Sequence, residues 1–150
     1  MNEDLIKLAP YTDEDYEFVY GVKKNAYIKY VEGCWGPWNE EFQQELFKKF
    51  IDTFKNNTYI IYYDNKKIGF YNGELLDNGN YEIGNICIIP EYQGKGIGTK
   101  ILKGKIEEYK DRNIEIQCFK QNPVYKLYER LGFVRNGETD FHYKMIKKGQ

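Results

Sequence analysis

The chain has 150 residues, enough for one domain with a buried core, and 22 Lys plus Arg against 23 Asp plus Glu leave a formal charge of -1. That balance, with a pI near 5.9, gives no general pull toward nucleic acid or anionic lipid, and aromatics at 17% of residues oppose wholesale disorder. Serine is absent and His142 is the sole histidine, which excludes a Ser-His-Asp hydrolase and any metal site that needs two histidines from one chain.

Cys34, Cys87 and Cys118 are far apart and odd in number, so they read as reduced thiols in a reducing compartment. The amino terminus has no apolar run of signal length, and no stretch approaches the ~20 apolar residues of a membrane span. The expectation is a cytoplasmic protein with no membrane and no nucleic-acid partner.

In chain order, a short strand is expected at about 3–8. Thr12 with Asp13, Glu14 and Asp15 then gives an acid-rich helix start with capping-box spacing. Tyr16, Val19, Tyr20 and Tyr27 fall at helical spacings, and the turn Gly33 to Pro37 ends that helix. Asn39 caps a second helix, in which Phe42, Leu46, Phe50 and Phe54 recur every fourth residue and are expected to be core. From Thr58 the pattern changes to β-rich runs, 58–63, 67–75 and 81–89, an antiparallel meander whose third run stops at Pro90. Ile97, Ile101, Leu102, Ile106 and Tyr109 give the next helix its apolar face, and 113–119 reads as a strand. Together they make a strand-helix-strand unit with parallel strands. Asn122-Pro123 opens a last helix to Leu131, Gly132 ends it, and strands at about 133–137 and 140–146 close the chain.

The informative segment is Pro90-Glu91-Tyr92-Gln93-Gly94-Lys95-Gly96-Ile97-Gly98-Thr99-Lys100, between a strand's carboxyl end and a helix's amino end. Its glycines allow close backbone approach, and the free N–H groups of a first helical turn favour negative charge, so a pyrophosphate fits; an ordinary tight turn is the competing reading. The dinucleotide fingerprint fails because no third glycine stands at Thr99 or Ile101. The NTPase loop fails because no glycine precedes a Lys-Ser/Thr pair.

Gln93-x-x-Gly96-x-Gly98 resembles the Q/R-x-x-G-x-G/A signature of the GNAT superfamily of acetyl-CoA-dependent N-acetyltransferases, preceded as in that family by a strand ending Ile86-Cys87-Ile88-Ile89-Pro90. Asn122-Pro123 through Leu127-Tyr128-Glu129-Arg130-Leu131-Gly132-Phe133 is similar to the family's N-P-A-x-x-L-Y-E-x-L-G-F helix, departing at Val124. The resemblance covers about 58–146. It implies a single α/β (α+β) domain over 1–150, with a mixed, mostly antiparallel central sheet flanked by about four helices and a parallel strand-helix-strand unit at the cofactor site.

The resemblance further implies that strands ending near Ile89 and Phe119 splay to admit the pantetheine arm of acetyl-CoA. Main-chain groups of Ile88 and Ile89 would pair with the arm, and N–H groups of Gln93, Gly94, Lys95, Gly96, Gly98 and Thr99 would hold the pyrophosphate. Lys95 would add charge, and Asn122 would either bond the arm or cap its helix. No metal is implied. Ile88 N–H is the oxyanion donor on this reading, and Tyr128 matches the general acid to the CoA thiolate. Its phenol, pKa about 10 against about 8.5 for a thiol, makes that transfer roughly 2 kcal/mol uphill; packing is the alternative for this residue. Glu82 stands where some family members carry the base, against a cross-strand ion pair as the other reading.

Without serine no acyl-serine route exists, and direct transfer in a ternary complex is the default. Residues 1–50 carry 6 basic and 10 acidic side chains, and 101–150 carry 11 and 7, so an acidic first third suits a cationic acceptor. Trp35 and Trp38, with Glu32 and Glu40 nearby, either line a cation site or plug the core. The expected activity is acetyl transfer to a primary amine of a small molecule or peptide; the alternatives are a longer-acyl transferase and a non-catalytic acyl-CoA-binding module. Homodimerisation is left open.

Overall fold

A computed structural model describes residues 2–150. Its elements in chain order are β1 (Ile6–Pro10), α1 (Tyr16–Trp35), α2 (Glu40–Phe54), β2 (Thr58–Tyr63), β3 (Lys66–Leu75), β4 (Tyr81–Ile88), α3 (Ile97–Glu108), β5 (Ile114–Phe119), α4 (Tyr125–Arg130), β6 (Val134–Glu138) and β7 (His142–Lys147). Seven strands make one sheet in the order β1-β2-β3-β4-β5-β7-β6. β1–β2, β2–β3, β5–β7 and β6–β7 are antiparallel, and β4 runs parallel to β5 with Tyr81 opposite Ile114 and Glu82 opposite Glu115. This is the mixed, mostly antiparallel sheet expected. No helix among the described residues is long and apolar enough to cross a membrane.

By its contacts the chain falls into two compact units. The first runs from the amino terminus to Asn72 with Asn85–Lys100, and the second comprises Gly73–Gly84 and Ile101–Gln150. In the first unit, Val19, Tyr20, Phe47, Ile51, Ile60, Phe70 and Cys87 form a core between α1, α2 and the strands. Tyr16 and Tyr20 meet Phe47 edge-on at centroid distances of 5.1 and 5.2 Å. The Thr12 cap is present: its N–H donates to Asp15 Oδ2 at 3.0 Å. Asp15 is also paired with Lys67 Nζ at 2.6 Å. α1 ends at Gly36, whose φ of 90° is the left-handed region glycine supplies. Asn39 caps α2 through Phe42 N at 2.9 Å. Asp64 and Asn65, both at positive φ, turn β2 into β3.

The α2 stripe differs from expectation. Phe47 and Ile51 are buried, whereas Phe42 is 55% and Leu46 44% exposed. A row taken every fourth residue drifts by about 40° per step on a helix of 3.6 residues per turn. The row of Phe42, Leu46, Phe50 and Phe54 therefore begins on the solvent side, and the neighbouring row carries the core contacts.

In the second unit, Tyr81, Ile83, Leu102, Ile114, Ile116, Phe133 and Met145 are buried. Tyr81 stacks flat on Tyr109, just past α3, at 3.7 Å between centroids. α4 is shorter than the expected 122–131, because Asn122 Oδ1 accepts from Val124 N at 3.0 Å and Pro123 O from Lys126 N at 3.0 Å, a turn that precedes the α-helix proper. Gly132, φ 101°, ends it.

Candidate active site

Within the first unit, β4 gives way to a 3-10 turn, Pro90–Tyr92, and then to the glycine loop. Gly94 and Gly96 have φ of 74° and 84°, and a Cβ on either would meet nothing within 4 Å. The two exposed glycines therefore leave open space around a bending backbone. Lys100 N is bonded to Gly96 O at 3.0 Å, which places the N–H groups of Ile97, Gly98 and Thr99 in the opening turn of α3, ahead of its hydrogen-bond ladder. Gly98 lies under Ile88 Cδ1 and Ile86 Cγ2, 3.5 and 3.8 Å from its would-be Cβ, and so seats the helix against β4. These features fit a diphosphate of the kind coenzyme A carries.

Several expected ligand contacts are engaged by the chain itself. Gln93 N–H closes the 3-10 turn onto Pro90 O at 3.1 Å, so it is not one of the loop's outward donors. Its side chain instead braces the strand end, Nε2 donating to Ile88 O at 2.7 Å. Ile89 N donates to Ile68 O at 2.8 Å, and Ile89 O accepts from Tyr92 N at 3.0 Å, because the residue still belongs to the sheet edge on one side and the turn on the other. Lys95 is exposed. Lys100 is paired with Glu3 at 3.0 Å.

The end of β4 is fixed by features that motif spacing does not reveal. A Cβ at Gly69 would stand 2.1 Å from Cys87 O, so only glycine admits this approach of β3 and β4. Tyr27 on α1 donates its hydroxyl to Asn85 Oδ1 at 2.8 Å, and Asn85 Nδ2 donates to the buried Asn72 Oδ1 at 2.6 Å. Cys87 Sγ, its thiol pushed up to about 11 by burial, donates to the Tyr27 oxygen at 3.7 Å. Asparagine and glycine inside strands are disfavoured by the pleated surface, and that was the signal available in the sequence.

The two tryptophans part company. Trp38 is half-buried against the core and donates Nε1 to Glu40 Oε2 at 2.7 Å, while its own N–H donates to Glu32 Oε2 at 2.9 Å. Lys24 already lies over the Trp38 ring at 5.7 Å and pairs with Glu40 at 2.9 Å. Bonds from Lys24, then Trp38, Tyr20 and Gln44, hold the Glu40 carboxyl down at about 2. Trp38 thus packs against the core with the chain's own Lys24 over its ring, and Trp35 is 58% exposed.

In the second unit, Glu82 is half-buried and lies across the parallel ladder from Glu115, a like charge, so the cross-strand ion pair of the sequence reading does not form there. Burial, then Glu115 and Glu74, raise its carboxyl above the ordinary value. Glu115 itself accepts from Asn80 Nδ2 at 2.7 Å. Tyr128 is half-buried on α4 with its ring 6.0 Å from Phe133, and its carbonyl accepts from Leu131 N and Phe133 N at 3.1 and 3.0 Å. Asn122 uses its side-chain oxygen as the cap described above. His142 packs against Phe119 at 4.3 Å, and burial lowers its pKa. Among the described residues no group of three His, Cys, Asp or Glu side chains is placed to hold a metal ion.

This arrangement has clear relatives. The sequence profile of the acetyltransferase (GNAT) family matches residues 24–133, and the chain belongs to that family. It is 35% identical over 98 residues to the spermine/spermidine N(1)-acetyltransferase of Bacillus subtilis (strain 168), a match covering 57% of this chain and 64% of that protein, which is less than two thirds of the relative's length. A crystal structure of the PaiA N-acetyltransferase from Thermoplasma acidophilum in complex with coenzyme A has the same fold, with a TM-score of 0.71 and 19% identity over 95% of this chain and 98% of that one. An acetyltransferase from Thermus thermophilus matches at TM-score 0.73 and 17% identity, over 99% of both chains.

Proposed function

We propose that the chain is an acetyl-CoA-dependent N-acetyltransferase whose acceptor is a polyamine. The observation that carries the donor half is the loop of Gly94 and Gly96, left-handed and open where side chains would stand, leading into the first turn of α3. Such a loop supports diphosphate binding through main-chain N–H groups of Gly94, Lys95, Gly96, Gly98 and Thr99, with Lys95 adding charge. When bound, acetyl-CoA supplies an activated acyl group as a thioester.

Four tasks fall to this chain's residues. Ile88 N–H, on a strand end braced by Gln93 and Gly69, donates to the thioester carbonyl oxygen as negative charge develops. Glu82 takes a proton from the acceptor ammonium, and its raised pKa makes it a stronger base than an ordinary carboxylate. Tyr128 gives its phenolic proton to the departing thiolate. Asn122 holds the turn that starts α4 and so places Tyr128.

The acceptor class rests on two supports, the matched spermine/spermidine acetyltransferase and the grouping of Glu82 with Glu74 and Glu115, whose mutual repulsion a polycation relieves. Titration calorimetry with coenzyme A and a thiol-release assay with spermine, spermidine, amino acids and peptide amino termini test both halves. Binding with turnover of polyamines is expected. Absence of coenzyme A binding overturns the enzymatic reading, and turnover confined to peptide amino termini overturns the acceptor class.

A further inference from the structure

Lys23 differs from the six lysines that hold a carboxylate partner. Lys24, Lys67, Lys100, Lys105, Lys110 and Lys120 each pair with a carboxylate. Lys23, partly buried on α1, makes no ion pair among the described residues. Its Nζ lies 3.7 Å from the centroid of Phe50 and 5.9 Å from that of Phe47, both on α2. A ring face attracts a cation but leaves it short of the hydrogen bonds that water or a carboxylate would provide. The titratable group facing it is the thiol of Cys87, one residue before Ile88 on β4. Tyr27, one turn further along α1, donates to Asn85 of the same strand. Lys23 therefore lies on the α1 side that looks onto the end of β4.

Burial lowers the Lys23 ammonium to about 8. At pH 7.5 about a quarter of such an amine is neutral, against roughly one part in a thousand for an ordinary lysine near 10.4.

From this placement we infer that Lys23 is an acyl-acceptor site, modified by the same class of acetyl thioester that the proposed reaction uses. Its neutral Nζ attacks the thioester carbonyl carbon. The C–N bond forms as the C–S bond breaks, and the proton lost by nitrogen ends on the departing thiolate, giving an acetamide and free coenzyme A. The product carries no charge and sits against Phe50 without the cation. The inference rests on the donor half of the function proposed above and not on its acceptor.

The test uses the intact chain with acetyl-CoA at pH 7.5 and no added amine, followed by proteolysis and quantification of acetylation at each lysine over time. Lys23 is expected to gain its acetyl group at least tenfold faster than Lys24, its ion-paired neighbour. In Lys23→Arg the total early acetylation is expected to fall by more than half with no new site replacing it. Labelling of Lys23 no faster than Lys24, or acetylation spread over exposed lysines with Lys23 bare, overturns the inference. Thiol release with spermidine in the same preparation keeps the readings apart. Turnover with Lys23 unlabelled defeats only this inference, and labelled Lys23 without turnover defeats only the polyamine reaction.

Discussion

Gly69→Ala tests whether the end of β4 is held where the chemistry needs it. The added Cβ would stand 2.1 Å from Cys87 O and 3.0 Å from both Cys87 C and Ile88 Cα, all backbone atoms. A carbon–oxygen contact relaxes at about 3.3 Å, so the Cys87–Ile88 backbone must withdraw by roughly 1 Å. Overpacking of this kind costs about 1–3 kcal/mol of stability. A displacement of that size at a transition-state donor lowers rate by about 100-fold, equivalent to about 2.7 kcal/mol. Gly94 and Gly96 do not touch Gly69, so coenzyme A affinity should change by less than about threefold, well under 1 kcal/mol. Urea unfolding, titration calorimetry and thiol release read the three quantities on one preparation. Gly21→Ala, exposed in α1 with nothing within 4 Å of its Cβ, is the control and should gain about 0.5–1 kcal/mol. A folded Gly69→Ala protein with wild-type turnover would refute the assignment of Ile88 as the oxyanion donor.

Tyr128→Phe should lower kcat by about 100-fold or more with coenzyme A affinity unchanged, the range for losing a general acid; unchanged kcat would remove the phenol from the reaction. Gly96→Ala forces a side chain to φ 84° and should cost about 1–2 kcal/mol, with weaker coenzyme A binding by calorimetry as the decisive readout. Glu82 has a raised folded-state pKa, so kcat/KM should fall as pH drops through a value above the ordinary 4.3, and Glu82→Gln should abolish that limb. Because the folded chain holds the Glu82 proton more tightly than the unfolded chain, its ionisation destabilises the fold at neutral pH. Glu82→Gln should therefore raise the melting temperature at pH 7 and leave it unchanged well below the ordinary value. Asp15 has the opposite sign. Burial alone would raise its pKa, but bonds from Lys67 and Thr12 outweigh burial and lower it. Its contribution is complete above the unfolded value near 3.9 and is lost as pH falls through the lower folded value, and Asp15→Asn should cost about 1.5–3 kcal/mol in urea unfolding at pH 7.

What the sequence disclosed and what it concealed follow from the range of the interactions. The glycine loop was legible because the binding proposed for it rests mainly on main-chain N–H groups, to which Gly94 and Gly96 contribute the absence of side chains. Strands, caps and turns at Asn39, Asp64-Asn65, Pro90 and Gly132 were legible for a similar local reason. The approach of Gly69 to Cys87 and the chain Tyr27–Asn85–Asn72 depend on register between segments up to 58 residues apart, which spacing along one segment does not encode. The α2 stripe misled because a fourth-residue repeat alone does not say which of two adjacent rows faces inward; Phe47 and Ile51 decide it by meeting Tyr16, Tyr20 and the sheet. Asn122 read equally as cap or ligand, and its side-chain oxygen accepts from Val124 N as a cap does.

The carboxylates that the proposed reaction would offer an amine differ in whether the chain has already balanced them. Glu40 is ionised at any physiological pH, yet Lys24 neutralises it and Trp38, Tyr20 and Gln44 fill its remaining acceptor sites, so little attraction is left for an outside cation. Glu82 is the reverse case: burial, Glu115 and Glu74 all push its pKa upward, and none of the groups acting on it is a cation. Its raised pKa comes first from burial and then from repulsion by Glu115 and Glu74 that no cation of the fold relieves. A bound polyammonium would relieve that repulsion, and by linkage the tighter it binds, the further it must draw the Glu82 pKa back down. An acceptor that binds through this group therefore weakens the base it needs. On the proposed reading, deprotonation follows binding through loss of one ammonium proton to Glu82 while a second ammonium stays charged beside Glu74 and Glu115, a requirement that a diamine or longer polyamine meets and a monoamine does not.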